Sequence, residues 1–233
     1  MKQFFGMSQR GNLNEAIQGL YRPQFIMLLS NNNQFENHVR DLEKRFPGVP
    51  SIGCVGMSYQ AGVVENGVGV IAFSDGVSAA ANVLESVSTM PVKHIRRLEQ
   101  DMRQVGGGSR DTVCIDFCSG NDACIISIKE VNGSALACYR QVNDSDVLIL
   151  LQLGDYQAIT RQTIQQICQD FPRRSAIFSV NCLFRYKLFS QLGYMQTYLK
   201  EMAALGSHAG FVGYGEHYNN RFVNQSMTCV VFE

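Results

Sequence analysis

Tyr214-Gly-Glu-His-Tyr218 gathers a carboxylate, an imidazole and two phenols into one short stretch near the C-terminus. Upstream, Asn181-Cys-Leu-Phe-Arg185 sets a thiol and a guanidinium between an apolar run and a helical pattern. Downstream, Asn224-Gln-Ser226 leads into the last apolar run. If the flanking runs are neighbouring strands, Cys182, Arg185, Tyr214, Glu216, Asn224 and Gln225 meet at one rim. Such a rim suits a zwitterion. Arg185 would clamp a carboxylate, Glu216 would take an ammonium group, and Tyr214, Asn224 and Gln225 would fix orientation. Two plainer readings stand beside this one. The residues are polar loop groups that cap turns, or Arg185 and Glu216 form a salt bridge that braces the segment.

The same residues admit other chemistry. Cys182 could act as a nucleophile with His217 or His208 as its base, although spacing alone does not bring them within reach. A haem or metal sensor would need an axial ligand, for which the chain offers His38, His94, His208 and His217. His217 adjoins the suspected site and is the haem candidate, while His38 and His94 stand among charged residues in helical patterns and are expected to be exposed. The chain has 8 cysteines, and most sit on apolar segments, where Cys packs as a small hydrophobe. No Cys-x-x-Cys occurs, but Cys114, Asp116 and Cys118 would share one face of a strand, so a metal cluster is the alternative to purely structural cysteines. There is no phosphate-binding loop, nucleophile elbow, His-Glu-x-x-His or dinucleotide fingerprint, so the expectation is a protein that is not an enzyme.

Bulk properties narrow the classes further. Lys and Arg number 20 against 20 Asp and Glu, which leaves no basic footprint for nucleic acid or an anionic membrane. The longest apolar run, Val147 to Leu151, is too short to span a bilayer, and Met1 to Arg10 lacks the apolar core of a secretory signal. The expected location is the cytoplasm, without membrane insertion.

The elements that must position these groups follow from periodicity. Phe25 to Leu29 reads as a strand. Phe35, Val39, Leu42 and Phe46 mark a helix that Pro47-Gly48 ends, and Ser51 to Val55 and Gly67 to Phe73 read as two more strands. At the far end Ser175 to Val180 is a strand, Leu188 to Met202 a helical stripe stopped by Gly206, and Ala209 to Tyr214 and Met227 to Phe232 are strands. The order strand, helix, strand, strand therefore occurs twice. Gly53-Cys-Val-Gly56 and Gly210-Phe-Val-Gly213 open equivalent stretches, each closing on Phe, which points to a duplicated unit. Between them, Val77 to Val105 reads as helix broken at Pro91, Gly106-Gly-Gly-Ser109 as a hinge, and Thr112 to Cys118 as an alternating strand. Asn132-Gly133 turns a hairpin, Val147 to Leu153 reads as a buried strand, and Tyr156 to Phe171 as a helix. The fold class is α/β with mainly antiparallel neighbours, divided into halves at 1–108 and 109–233.

Over roughly residues 145 to 233 this pattern resembles the C-terminal half of FIST domains, sensory modules of bacterial signalling proteins. The shared features are Phe178-Ser-Val-Asn-Cys182 with Arg185, Gly210-Phe-Val-Gly-Tyr-Gly-Glu216, and Asn224-Gln-Ser226, with Ser where the family has Thr. Phe25 to Phe73 resembles the N-terminal half of such domains, except that Ser58-Tyr59 stands where the family carries Gly-Glu. The middle is shorter than the family's. The resemblance implies a sensory domain that binds a small, amino-acid-like ligand, or haem with response to nitric oxide. It also implies a signal passed to a separate kinase or cyclase, or through a homo-oligomer. A fold retained as an interaction module without a ligand is the remaining alternative.

Overall fold

The computed structural model describes residues 1–31, 33–81, 114–116, 125–139, 141–218 and 221–233. In chain order the elements are β1 (Lys2–Ser8), α1 (Leu13–Ala16), β2 (Phe25–Ser30), α2 (Phe35–Arg45), β3 (Ser51–Val55), β4 (Ser58–Tyr59), β5 (Val63–Val64) and β6 (Val68–Ser74). Then follow β7 (Cys114–Asp116), β8 (Ile128–Asn132), β9 (Ala135–Cys138), α3 (Tyr156–Asp170), β10 (Ala176–Cys182), α4 (Leu183–Gln191) and α5 (Met195–Ala203). The chain closes with β11 (Ser207–Gly213), β12 (Glu216–Tyr218), β13 (Arg221–Val223) and β14 (Met227–Phe232). The fold is α/β, as the periodicity implies.

Two sheets stack at the centre. The first has strand order β1-β6-β2-β3 and the second β5-β4-β11-β10-β14-β7. Leu29, Ile71 and Phe73 of the first pack against Ala209, Phe178, Phe211 and Phe232 of the second. The outer face of the first sheet buries Ile26, Leu28, Val68, Val70 and Ala72 under α1 and α2 through Leu13, Ala16 and Leu42. The outer face of the second buries Ile177, Val212, Met227, Cys229 and Val231 under α3, α4 and α5 through Ile167, Phe189, Tyr198 and Met202. The result is a helix, sheet, sheet, helix stack. It explains why β6 reads as an unbroken apolar run: a strand covered on both faces has no polar side to alternate with.

Within this stack the same topology occurs twice. β2-α2-β3 is a parallel strand-helix-strand unit, and β6 returns antiparallel on the other side of β2. β10-α4-α5-β11 is likewise parallel, and β14 returns antiparallel beside β10. The registers match as well. Leu28 faces Gly53 and Val70, while Ser179 faces Gly210 and Cys229. The Asn31 N–H donates to Gly67 O in the first unit, and the Cys182 N–H to Ser226 O in the second. Each unit also places a short hairpin between its last two strands, β4–β5 in the first and β12–β13 in the second. The hairpins differ in what they do: β4 pairs antiparallel with β11, whereas β12–β13 pairs only with itself among the described residues.

Several sequence expectations are revised. The stripe from Leu188 to Met202 is two helices, because Gly193 takes a left-handed conformation (φ 66°) between α4 and α5. Leu192 is consequently exposed, and Tyr186 and Phe189 supply the buried face of α4. Val147 to Leu153 is neither strand nor buried. Val147 and Leu150 are 89% and 91% exposed, and the run joins no sheet among the described residues. The Asn132-Gly133 turn does join β8 to β9, pairing Asn132 with Ala135. Of the helix expected from Val77 to Val105, residues 77–81 are not helical, and the rest, with the hinge at Gly106 to Ser109, lies outside the described residues. No helix among the described residues is long and apolar enough to cross a membrane.

Candidate functional site

β10 ends on Asn181 and Cys182, and α4 begins immediately after, so side chains of the first helical turn crowd the carboxyl ends of β10 and β11. In open α/β sheets this is the favoured position for a ligand crevice. Alternation along β10 sends Ile177, Ser179 and Asn181 toward the helices. Asn181 is fully buried; its Oδ1 accepts from Arg185 Nη1 at 2.7 Å, and its Nδ2 has no partner. Arg185 also reaches Thr160 Oγ1 on α3 at 3.5 Å. Its guanidinium lies over the rings of Phe189 and Tyr198, 4.5 and 4.9 Å from their centroids. Aromatic faces attract a cation without neutralising it. No carboxylate forms an ion pair with Arg185 among the described residues.

Glu216 opens β12 and is 1% exposed, yet neither carboxyl oxygen has a hydrogen-bonding partner. Burial pushes its pKa up to about 7, and the neighbouring Cys182 thiol opposes that rise. Cys182 is itself raised, first by burial and then by the Glu216 charge, against the backbone N–H groups of Phe184, Gln225 and Arg185. The Gln225 N–H donates to Cys182 Sγ at 3.3 Å from a left-handed backbone conformation (φ 57°). Ser226 Oγ is buried nearby in the chain and also lacks a partner.

The six residues singled out from the sequence separate into three groups. Cys182 and Glu216 adjoin one another. Arg185 stands one helical turn from Cys182 but turns toward Asn181 and Thr160, so the salt bridge with Glu216 does not form. Gln225 meets Cys182 through its backbone N–H alone, and Tyr214 and the side chains of Asn224 and Gln225 do not join them. Tyr214 is 75% exposed. Asn224 Nδ2 donates to Ile125 O at 2.8 Å and Gln225 Nε2 to Ser127 Oγ at 3.1 Å, so both side chains hold the segment ahead of β8. The side chain of His217 lies outside the described residues, as does all of His94.

His208 is far from Cys182: in the β10–β11 register it faces Ile177, at the opposite end of β10. It belongs to a second buried chain, in which Tyr59 Oη meets Ser179 Oγ at 2.8 Å and Ser179 Oγ meets His208 Nε2 at 2.8 Å. Burial lowers His208 to about 4, which leaves the ring neutral. His38 is buried rather than exposed, with Nδ1 2.6 Å from Ser30 Oγ and Nε2 2.9 Å from Gly11 O. Asn181, Thr160 and Ser226 are the site residues that sequence reasoning passed over. A polar residue closing an apolar strand run, as Asn181 does, was the available signal.

A family model described as FIST N domain matches residues 24–156, more than half of the chain. The match takes in β2 through β9 and ends at the first residue of α3, so Cys182, Arg185 and Glu216 lie beyond it. No curated protein matches the chain.

Proposed function

The chain belongs to the FIST family of sensory-type domains, and from that membership we propose that it senses a small, amino-acid-like molecule at the carboxyl ends of β10 and β11. One observation carries the reading: Asn181 Nδ2, both Glu216 oxygens and Ser226 Oγ are buried without partners at this end of the sheet. Each such orphan costs about 1–3 kcal/mol, so several of them at one end of a sheet mark a place where a partner belongs. Arg185, held by aromatic rings and neutral groups, is free to take the ligand's carboxylate together with the Asn181 amide. Glu216 takes the ammonium group, which returns its carboxyl to the ionised form.

In this reading the signal leaves through a separate protein such as a kinase or cyclase. The shared registers of the two units support descent from one duplicated segment. Binding is tested by a thermal-shift screen of amino acids, followed by calorimetry. A stabilising amino acid whose binding is lost in Arg185→Ala and in Glu216→Gln, with both variants folded, supports the proposal. No stabilisation by any zwitterion, or binding that survives both substitutions, removes it.

A further inference from the structure

The first unit has a cavity where the second holds a side chain. In the second unit, β4 lies antiparallel along β11 with Tyr59 opposite Gly210. The Tyr59 ring is fully buried against that glycine, where a Cβ would come within 2.7 Å of the ring and 2.1 Å of Ser179 O. The matching strand of the first unit is β3, and Gly53 matches Gly210: its Cβ would point the same way, meeting Leu28 O at 2.9 Å and the Phe35 ring at 3.3 Å. Among the described residues no strand covers β3, which is the edge of its sheet with every one of its residues exposed. A cavity of about 610 Å³ lies between β3 and α2, lined by Ile26, Leu28, Phe35, Leu42, Phe46 and Gly53 among others.

We infer that β3 is a docking edge for an extended peptide segment carrying an aromatic residue, which pairs antiparallel with β3 and lays its ring over Gly53 in the cavity. The occupant's chemistry is read from the matching place in the same molecule, where a strand and a ring together close the edge. An open edge of apolar residues offers the ladder. Ser51 to Val55 contains no charge and no proline to block pairing. The cavity differs from its filled counterpart in one respect. Leu28 stands where the Ser179 hydroxyl meets that of Tyr59, so the first unit has no side-chain partner for a phenol. Phe therefore fits better than Tyr, because a phenol would keep only the backbone carbonyl of Leu28, matching Ser179 O, and would lose the side-chain hydroxyl that Tyr59 also meets. Glu43 is the one charged residue along the lining among the described residues, so an acidic flank on the peptide is disfavoured.

The test uses a labelled peptide with the sequence of Gly56 to Val64, in versions carrying Phe, Tyr or Ala at the position of Tyr59. The protein is the full chain and its Val39→Glu variant, altered at the cavity mouth where Val39 is 40% exposed. Fluorescence anisotropy should show saturable binding ordered Phe, Tyr, Ala, with the Ala version weaker by about tenfold or more. Val39→Glu should lose a similar factor while keeping its thermal unfolding midpoint, and peptide binding should slow amide exchange from Ile52 to Val55. Failure of the Phe peptide to bind, or equal binding of the Ala version, overturns the inference. Protection of the β3 amides already in the free chain overturns it too, since the chain's own residues would then cover the edge. Protection that grows with protein concentration does the same, by assigning the edge to a second copy.

Discussion

Tyr59 and Glu216 stand the same number of residues after the opening glycines of two units that share strand order and register. Both are buried, at 0% and 1% exposure. Tyr59 reaches across to the other unit and finds Ser179 O and Oγ at 3.1 and 2.8 Å. Glu216 stays with its own unit and finds no hydrogen-bonding partner. A second pair repeats the contrast: Ser30 and Asn181 match in register, and both are fully buried. Ser30 closes a hydrogen-bonded chain through His38 to Gly11, while Asn181 holds a guanidinium and keeps an orphaned amide. The first unit spends Ser30 and Tyr59 on structure and leaves Ser58 Oγ without a partner, while the second leaves Asn181 Nδ2, both Glu216 oxygens and Ser226 Oγ unsatisfied at the carboxyl ends of β10 and β11. One backbone arrangement therefore serves as a brace on one side and as a candidate receptor on the other.

The largest way to break this comparison is to remove the brace. Tyr59→Ala deletes a fully buried ring and is expected to cost about 3–5 kcal/mol in urea unfolding, while Tyr59→Phe leaves Ser179 short of a partner at about 1–3 kcal/mol. A Tyr59→Ala cost below about 1 kcal/mol would show that the hairpin is not a wedge between the units. The opening glycines come next. Gly210→Ala drives a Cβ into Ser179 O and the Tyr59 ring, whereas Gly53→Ala meets its nearest atom at 2.9 Å beside an open cavity. Chemical denaturation should place Gly210→Ala at about 3 kcal/mol or more and Gly53→Ala at less than half of that. Equal costs would mean that β3 is covered as tightly as β11.

Glu216 sharpens the comparison through pH. Its carboxyl titrates at about 7 in the folded chain against 4.5 ordinarily, so the native state holds the extra proton between those values. Stability from this group is then complete below about pH 4.5, declines as pH rises toward 7 and levels off above it. Glu216→Gln removes that decline. Melting curves should show the variant gaining on the native chain as pH rises from 5 to 8, by about 1–3 kcal/mol at the upper end. Tyr59→Phe should show no such trend, because burial holds the phenol well above its ordinary value. A flat Glu216→Gln difference would place the carboxyl in contact with solvent. The smallest effect is expected for Ser30→Ala, at about 1 kcal/mol, with the exchange rate of the His38 ring proton as a direct readout. An unchanged rate would show that His38 does not depend on Ser30.

Much of the fold could be read in the chain before any coordinates. The runs Phe25 to Leu29 and Gly67 to Phe73, and the stretches around Gly53 and Gly210, announce strands because their side-chain pattern is a local property. The repeated order of elements follows from the same patterns. Reading failed where local pattern does not decide. Val147 to Leu153 is as apolar as β6, and only the supply of a pairing edge separates a strand from an exposed run. Leu188 to Met202 keeps a helical spacing across Gly193, although the backbone turns there. His38 looks exposed among charged neighbours until Gly11 and Ser30 close around it.

The candidate site divides along the same line. Residue identity alone brought out Cys182, Arg185 and Glu216, since a thiol, a guanidinium and a carboxylate at strand ends are recognisable wherever they lie. The sequence by itself determined the repeated order of strand, helix, strand and strand, and the presence of opposed charges near the ends of β10 and β11. Tertiary structure decided that Asn224 and Gln225 brace the segment ahead of β8, that Arg185 turns to Asn181, and that Glu216 is left without a partner. The reason is physical. A side chain's partner and its burial depend on strand register and on which sheet face it occupies, and those are set by contacts between residues far apart in the chain.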